Sequence, residues 1–280
     1  MDAGPTYGDA GEAAAFRLTP AMGVAGPFVF ASPHSGTLYP QDMGARPLDE
    51  RSLRSAEDAL VDRLVAGGPG RGAPLIAGLI GRAYLDLNRA ADELDPQLID
   101  GVASTPVSPR TRAGYGVIPR LSGDGQPLYD RRLTPAEAAQ RMARVHDPYH
   151  QALATLMQAA RERHGRAVLV DWHSMPAAAK GPTGPDVVIG DRHGSSCDPA
   201  LTRRLRAAFE ALGWRVALNH PYAGGYSTRI WARRPEGFEA VQIELSRALY
   251  WDDASLGPSA GWSRCEKGVA RVIAALIDGP

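Results

Sequence analysis

Cysteine is scarce in this chain: Cys197 and Cys265 are the two in 280 residues. They lie far apart and without CxxC spacing, so they read as small core or surface residues rather than as a disulfide or a metal pair. Charge of one sign is also missing, since 31 basic residues stand against 31 acidic ones. No Lys/Arg run exceeds pairs such as Arg203-Arg204 and Arg233-Arg234, so there is no basic footprint for tracking nucleic-acid phosphates. No window approaches the run of about 20 apolar residues that a membrane helix needs. Residues 1–17 carry Asp2, Asp9 and Glu12 and have no apolar core, so they do not read as a secretory signal. Neither GxGxxG nor GxxxxGK[ST] occurs, and Gly224-Gly225 is too short to cradle phosphates, so no nucleotide cofactor is expected. These absences point to a cytoplasmic protein whose partner is a small molecule, with neither nucleic acid nor membrane.

What is present is an ordinary globular balance, 44% hydrophobic and 22% charged residues, in a chain long enough for one large α/β domain. The expectation is a single domain over 1–280, with 1–22 as a flexible N-terminal extension. The apolar run PFVFAS (27–32) predicts a buried strand opening into the loop SPHSG. A helix is expected over 48–66, and one bent strand or two short ones over 73–88. The Gly/Pro-rich stretch 101–127 is too long for a plain connector and is expected to border a site.

Thr134-Pro135-Ala136-Glu137 has the marks of a helix start, with Thr as N-cap, Pro in the first turn and Glu placed to complete a capping box. Apolar residues then recur at helical spacing to Ala160. AVLVD (167–171) predicts a strand leading to His173, with DVVIGD (186–191) as its neighbour. Asp198-Pro199 starts a helix that Gly213 can stop, 214–218 and 238–245 complete the strands, and Cys265 to Leu276 form a last amphipathic helix. Strands alternating with helices predict a mixed, largely parallel sheet with helices on both faces.

Ionisable residues cluster at predicted strand ends: His34 in SPHSG, Asp171 and His173 in DWHS, and Glu244 in IELSR. Ligands of open α/β sheets bind beyond the carboxyl ends of the strands, so these groups are candidates to converge. From the residues alone, each histidine is either a satisfied structural group or a metal ligand. His146 and His150 stand at i, i+4 on a helix, a chelating spacing, but lack the carboxylate of an HExxH motif.

In order along the chain come SPHSG (32–36), EDALVDRL (57–64), RAYLDLNRAADEL (82–94), DWHS (171–174), VIGDRHGSS (188–196), NHPYAGGYSTR (219–229) and QIELSRALY (242–250). Together they resemble the N-formylglutamate amidohydrolase family, which is similar in turn to the zinc carboxypeptidases and aspartoacylase-type deacylases. The resemblance implies a zinc-carboxypeptidase-like α/β fold with one divalent metal ion, zinc, held by two histidines and a carboxylate. It makes His34 and His173 the histidine ligands. Those relatives carry a Glu three residues after the first His, where this chain has Thr37, so Asp58, near the middle of the expected helix, is taken as the third ligand, with Asp62 and Glu57 behind it.

The same resemblance makes Glu244 the proton-transferring base and Asn88 and Arg89 the pair that holds a substrate carboxylate, for which a guanidinium's planar fork is suited. Arg229, after the GGYST turn, is a candidate for a second carboxylate, and Tyr226 in that segment is grouped with it. Arg82 is either an oxyanion stabiliser or a partner in a surface salt bridge. Asp171 is either a support for His173 or a strand-terminal acid. The implied reaction is hydrolysis of a small acidic N-acyl amino acid, N-formyl-L-glutamate giving formate and L-glutamate. A related deacylase keeps this chemistry with another acyl amino acid. A serine hydrolase using Ser35 or Ser174 lacks the GxSxG elbow, and a non-catalytic acidic-metabolite binder would use Arg89 and Arg229 but not Glu244.

Overall fold

The computed structural model describes residues 14–103, 107–176 and 184–279. Seven strands form one sheet in the order β1-β3-β2-β4-β7-β5-β6. They are β1 (Phe16–Thr19), β2 (Phe28–Ser32), β3 (Leu75–Gly78), β4 (Ala167–Met175), β5 (Val187–Gly190), β6 (Val216–Leu218) and β7 (Phe238–Ser246). The helices are α1 (Glu50–Arg54), α2 (Val61–Leu64), α3 (Pro109–Arg112), α4 (Pro135–Arg141), α5 (Asp147–His164), α6 (Pro199–Glu210), α7 (Tyr226–Trp231) and α8 (Trp262–Ile277). Pairings β2–β3, β2–β4, β4–β7 and β5–β6 are parallel, and β5–β7 is antiparallel. This is the mixed, largely parallel sheet that the alternation predicts. Among the described residues, no helix is long and apolar enough to cross a membrane.

The described residues sort into two compact units. One takes those within 1–17, 33–57 and 78–152, the other those within 18–32, 58–77 and 153–280. The second unit holds most of the sheet and its main apolar cluster. Strands β2, β4, β5 and β7 are buried along their whole length; β2 and β5 accordingly read as apolar runs, whereas β4 and β7 also carry polar residues. On one face, Phe28, Phe30, Val168, Val170, Trp172, Val241, Ile243 and Leu245 meet apolar residues of α2, α6 and α8. Burying each large apolar side chain there contributes about 1.5–3 kcal/mol. Both cysteines are buried and free. On the other face, α7 packs against β4 and β7.

The first unit contains little regular structure and is fixed by side-chain bonds to backbone. Buried Arg141 donates to the carbonyls of Tyr84 and Met43 and to the Tyr129 hydroxyl. Asp95 pairs with Arg120 at 3.0 Å. The Thr134/Glu137 capping box is formed. The helix it starts runs through a π turn at Met142–His146 before α5, a register change that accommodates Pro148.

Several expectations need correction. Residues 48–66 form two short helices, α1 and α2, in place of one, because the Ser55 hydroxyl bonds back to the Ser52 carbonyl and Leu60 turns left-handed at φ 59°; both compete with a continuing helix. Within 73–88 only β3 is a strand; Ile80 makes an isolated parallel bridge with Leu38, and the remainder is turn or irregular. DVVIGD is not the neighbour of β4; it pairs with β7 and β6. The GGYST segment leads into helix α7 and is no simple turn. Of the 1–22 extension, residues 1–13 lie outside the described residues, and Phe16–Thr19 is edge strand β1.

Candidate active site

Side chains alternate faces along a strand, so the apolar face of β4 and β7 leaves Asp171, His173, Gln242 and Glu244 together on the opposite one. The parallel register sets Asp171 beside Gln242 and His173 beside Glu244. All four are buried, at 0%, 2%, 4% and 6% exposure. Burying four such groups is costly unless each is hydrogen-bonded. His173 Nε2 lies 3.0 Å from Asp171 Oδ2, and its Nδ1 lies 2.9 Å from Asp58 Oδ2. Burial works against a charged His173, but Asp171 and Asp58 together raise its pKa well above the ordinary value. Gln242 Nε2 donates to Glu244 Oε1 at 2.7 Å.

Asp58 sits in the break between α1 and α2, not near the middle of a helix. Its carbonyl accepts the Val61 N–H that opens α2, and its Oδ1 accepts a 3.2 Å bond from the Ser174 hydroxyl. Ser174 is thus engaged with an acid rather than with a histidine. Asp62 lies on α2. Glu57 is occupied elsewhere, accepting from the Tyr39 hydroxyl at 2.7 Å and Arg54 Nε at 2.9 Å. Burial pushes its pKa up to about 7 against the opposing pull of Arg54 and Tyr39.

His34 follows the carboxyl end of β2 by two residues. The turn that carries it lies so close to its neighbour that a Cβ at Gly36 would fall 2.4 Å from the Leu79 carbonyl carbon; glycine is needed there for backbone approach. His34 Nε2 contacts Asp86 Oδ1 at 2.7 Å. Asp86, 2% exposed, also takes Nε and Nη2 of Arg82 on Oδ2 and the Asn88 N–H on Oδ1. Burial alone would raise the Asp86 pKa, but Arg82, Arg89 and His34 hold it well below the carboxylate range. Arg82 thus makes an ion pair with this buried acid, its own side chain part-exposed.

Arg89 is buried, with Nε on the Tyr115 carbonyl and Nη1 on the Asn88 carbonyl. Its Nη2 is 3.8 Å from Asp86. His146 and His150 anchor this stretch, their Nε2 atoms meeting the carbonyls of Arg89 at 3.0 Å and Leu87 at 2.9 Å. Those contacts give both a structural task. On α7, the exposed Arg229 guanidinium lies 5.4 Å from the Tyr226 ring centroid.

A ring nitrogen of His34, one of His173 and a carboxylate oxygen of Asp58 lie within 4.8 Å of one another, all on buried side chains. Two imidazoles and one carboxylate form a donor set for a divalent ion with an open position. The acids at the opposite nitrogens, Asp86 on His34 and Asp171 on His173, are the partners that orient metal-ligating histidines. The donor set therefore fits a divalent metal.

Sequence reasoning missed Asp86 and Gln242. Asp86 stands between Arg82 and Arg89, an acid spaced i+4 and i−3 from two cations. Gln242 is two residues before Glu244 and must share its face of the strand. Both signals were present in the spacing.

Comparison with known proteins covers most of the chain. The family model for N-formylglutamate amidohydrolase matches residues 26–251. N-formylglutamate deformylase of Pseudomonas aeruginosa is 31% identical over 234 residues, 81% of this chain and 83% of that protein. Its Pseudomonas putida counterpart is 29% identical over 81% of this chain and 82% of its own length. The crystal structure of N-formylglutamate amidohydrolase from Ralstonia eutropha JMP134 superposes with a TM-score of 0.89 at 35% identity, covering 95% of this chain and 98% of that one. The chain belongs to the N-formylglutamate amidohydrolase family.

Proposed function

We propose that this protein hydrolyses N-formyl-L-glutamate to formate and L-glutamate, using one zinc ion held by His34, Asp58 and His173. The observation that carries the proposal is the buried His-Asp-His grouping with Glu244 on the strand beside His173. When bound, the ion supplies positive charge that polarises the acyl carbonyl and acidifies water.

The chain's own residues supply the remainder. Glu244 accepts a proton from the attacking water as the water oxygen bonds to the formyl carbon. It passes that proton to the amide nitrogen as the C–N bond breaks, and the second water proton leaves with formic acid, which ionises to formate. Arg89, fixed by two backbone carbonyls, offers its remaining N–H groups to a substrate carboxylate. Asn88 and Tyr226 line the substrate, Arg229 takes the second carboxylate and Arg82 steadies the developing oxyanion through its Asp86-anchored guanidinium. The free cysteines support a reducing cytoplasmic setting. The 26–251 match takes in segments of both units, which supports 1–280 acting as one catalytic domain.

The test is turnover of N-formyl-L-glutamate with zinc content measured alongside. Chelation should abolish turnover and zinc should restore it. His34→Ala and His173→Ala should lose the metal, while Glu244→Gln should keep it and lose about 10²–10⁴-fold in kcat. Full zinc occupancy in both histidine variants would remove the ligand assignment. Normal turnover by Glu244→Gln would remove the base.

A further inference from the structure

Gln242 has no place in the chemistry above, yet its side chain joins two parts of it. Its Nε2 donates to Glu244 Oε1 at 2.7 Å, and its Oε1 accepts the N–H of Gly225 at 2.8 Å. Gly225 is the N-cap of α7, the helix that carries Tyr226 and Arg229. The preceding Gly224 has φ +125°, and a Cβ there would lie 2.5 Å from Thr228 Oγ1. The turn is therefore pressed onto its own helix, in a conformation that favours glycine.

A primary amide is the side chain this position calls for. The Gly225 N–H is a donor and needs an acceptor, which fixes the amide oxygen on that side. The amide nitrogen must then face Glu244, as a donor to a carboxylate. A glutamate at this position could serve Gly225 but would set an acceptor against an acceptor at Glu244. An apolar residue would serve neither.

We propose that Gln242 is a positioning residue that holds the Glu244 carboxylate in place for proton transfer and ties it to the N-terminus of α7. One side chain thereby aligns the proton shuttle with the helix that carries substrate-binding residues. The inference rests on the assignment of Glu244 as base.

The experiment compares kcat, KM and zinc content on N-formyl-L-glutamate for wild type, Gln242→Glu and Gln242→Met. The two Gln242 variants are then repeated in a Glu244→Gln background. Gln242→Glu should lose about 10- to 100-fold in kcat, the range for one charge-assisted hydrogen bond, with KM and zinc content near wild type. Gln242→Met should lose kcat and also raise KM, because α7 is released. In the Glu244→Gln background, Gln242→Glu should cost no further kcat. An equal loss in both backgrounds would make Gln242 merely structural and overturn the proposal, as would wild-type kcat in Gln242→Glu. Amide hydrogen exchange of the 223–231 segment gives a readout independent of turnover. Gln242→Met should speed exchange there, and unchanged exchange would overturn the tie to α7. If the wild type turns over no N-formylglutamate, the proposed reaction falls, and the exchange result still decides the tie.

Discussion

Replacing Asp86 by Asn tests whether this buried acid supports both the fold and the metal site. Asp86 accepts from Arg82 through two nitrogens and from the Asn88 N–H, and lies 2.7 Å from His34 Nε2. Asn keeps the shape and one acceptor but removes the charge. Removing one partner of a buried ion pair costs about 3–5 kcal/mol. The lower end applies here, because the Arg82 side chain is 23% exposed and can turn to water, whereas Arg89 at 6% cannot. With a urea slope of about 3 kcal/mol/M, a loss of about 3 kcal/mol lowers the unfolding midpoint by about 1 M. Orientation of His34 should loosen in parallel, with zinc affinity falling about 10- to 100-fold. Urea unfolding in chelator isolates the first effect from metal linkage, and a competition titration with a chromogenic chelator reads the second. Both proteins should unfold in one transition, and two separable transitions would break the single-domain reading. A midpoint shift below about 0.3 M together with unchanged zinc affinity would refute the role given to Asp86.

Two further outcomes are expected. Arg89→Lys should raise KM for an acidic N-acyl amino acid by the equivalent of about 1.5–3 kcal/mol, since one ammonium cannot meet the Tyr115 and Asn88 carbonyls and a substrate carboxylate together; unchanged KM on every acidic substrate would remove the clamp. His150, lowered to about 3 by burial and by His146 against the pull of the Leu87 carbonyl, stays neutral in the fold while the unfolded chain protonates near about 6.5. The unfolded state therefore binds more protons between those values, and stability falls as pH drops through that window, by about 2 kcal/mol at pH 5. His150→Gln should flatten this slope in urea unfolding at pH 7.5 and 5, and parallel curves for the two proteins would contradict it.

The inner strands were legible in the sequence: β2 and β5 are buried apolar runs bounded by turns, and β4 and β7 begin or continue as apolar stretches that carry polar residues mainly on one side. The helices at Pro135 and Pro199 were legible through their caps. Pairing was not, since apolar runs carry no partner information, and β5 went to β7 rather than β4. The helix expected over 48–66 failed because the pattern LRSAEDALVDRL suits helical periodicity while Ser55 and Leu60 break it locally. Of the residues proposed for the site, His34, Asp58, His173 and Glu244 could be named from motifs. Their supports Asp86 and Gln242 have no motif of their own; only their spacing, from Arg82 and Arg89 in one case and from Glu244 in the other, marks them.

The pairing of β4 with β7 has a consequence for how such an enzyme can change. Each strand gives one side to the apolar cluster and the other to the polar groups, so inserting or deleting a single residue within 167–175 or 238–246 exchanges the two sides from that point on. Such a lesion would send Glu244 or His173 into oil and bring Ile243 or Trp172 to the substrate, destroying solubility and chemistry in one event. Length variation is therefore closed to these strands, whereas a stretch such as 219–225, which is not strand, has no alternation for an added residue to invert.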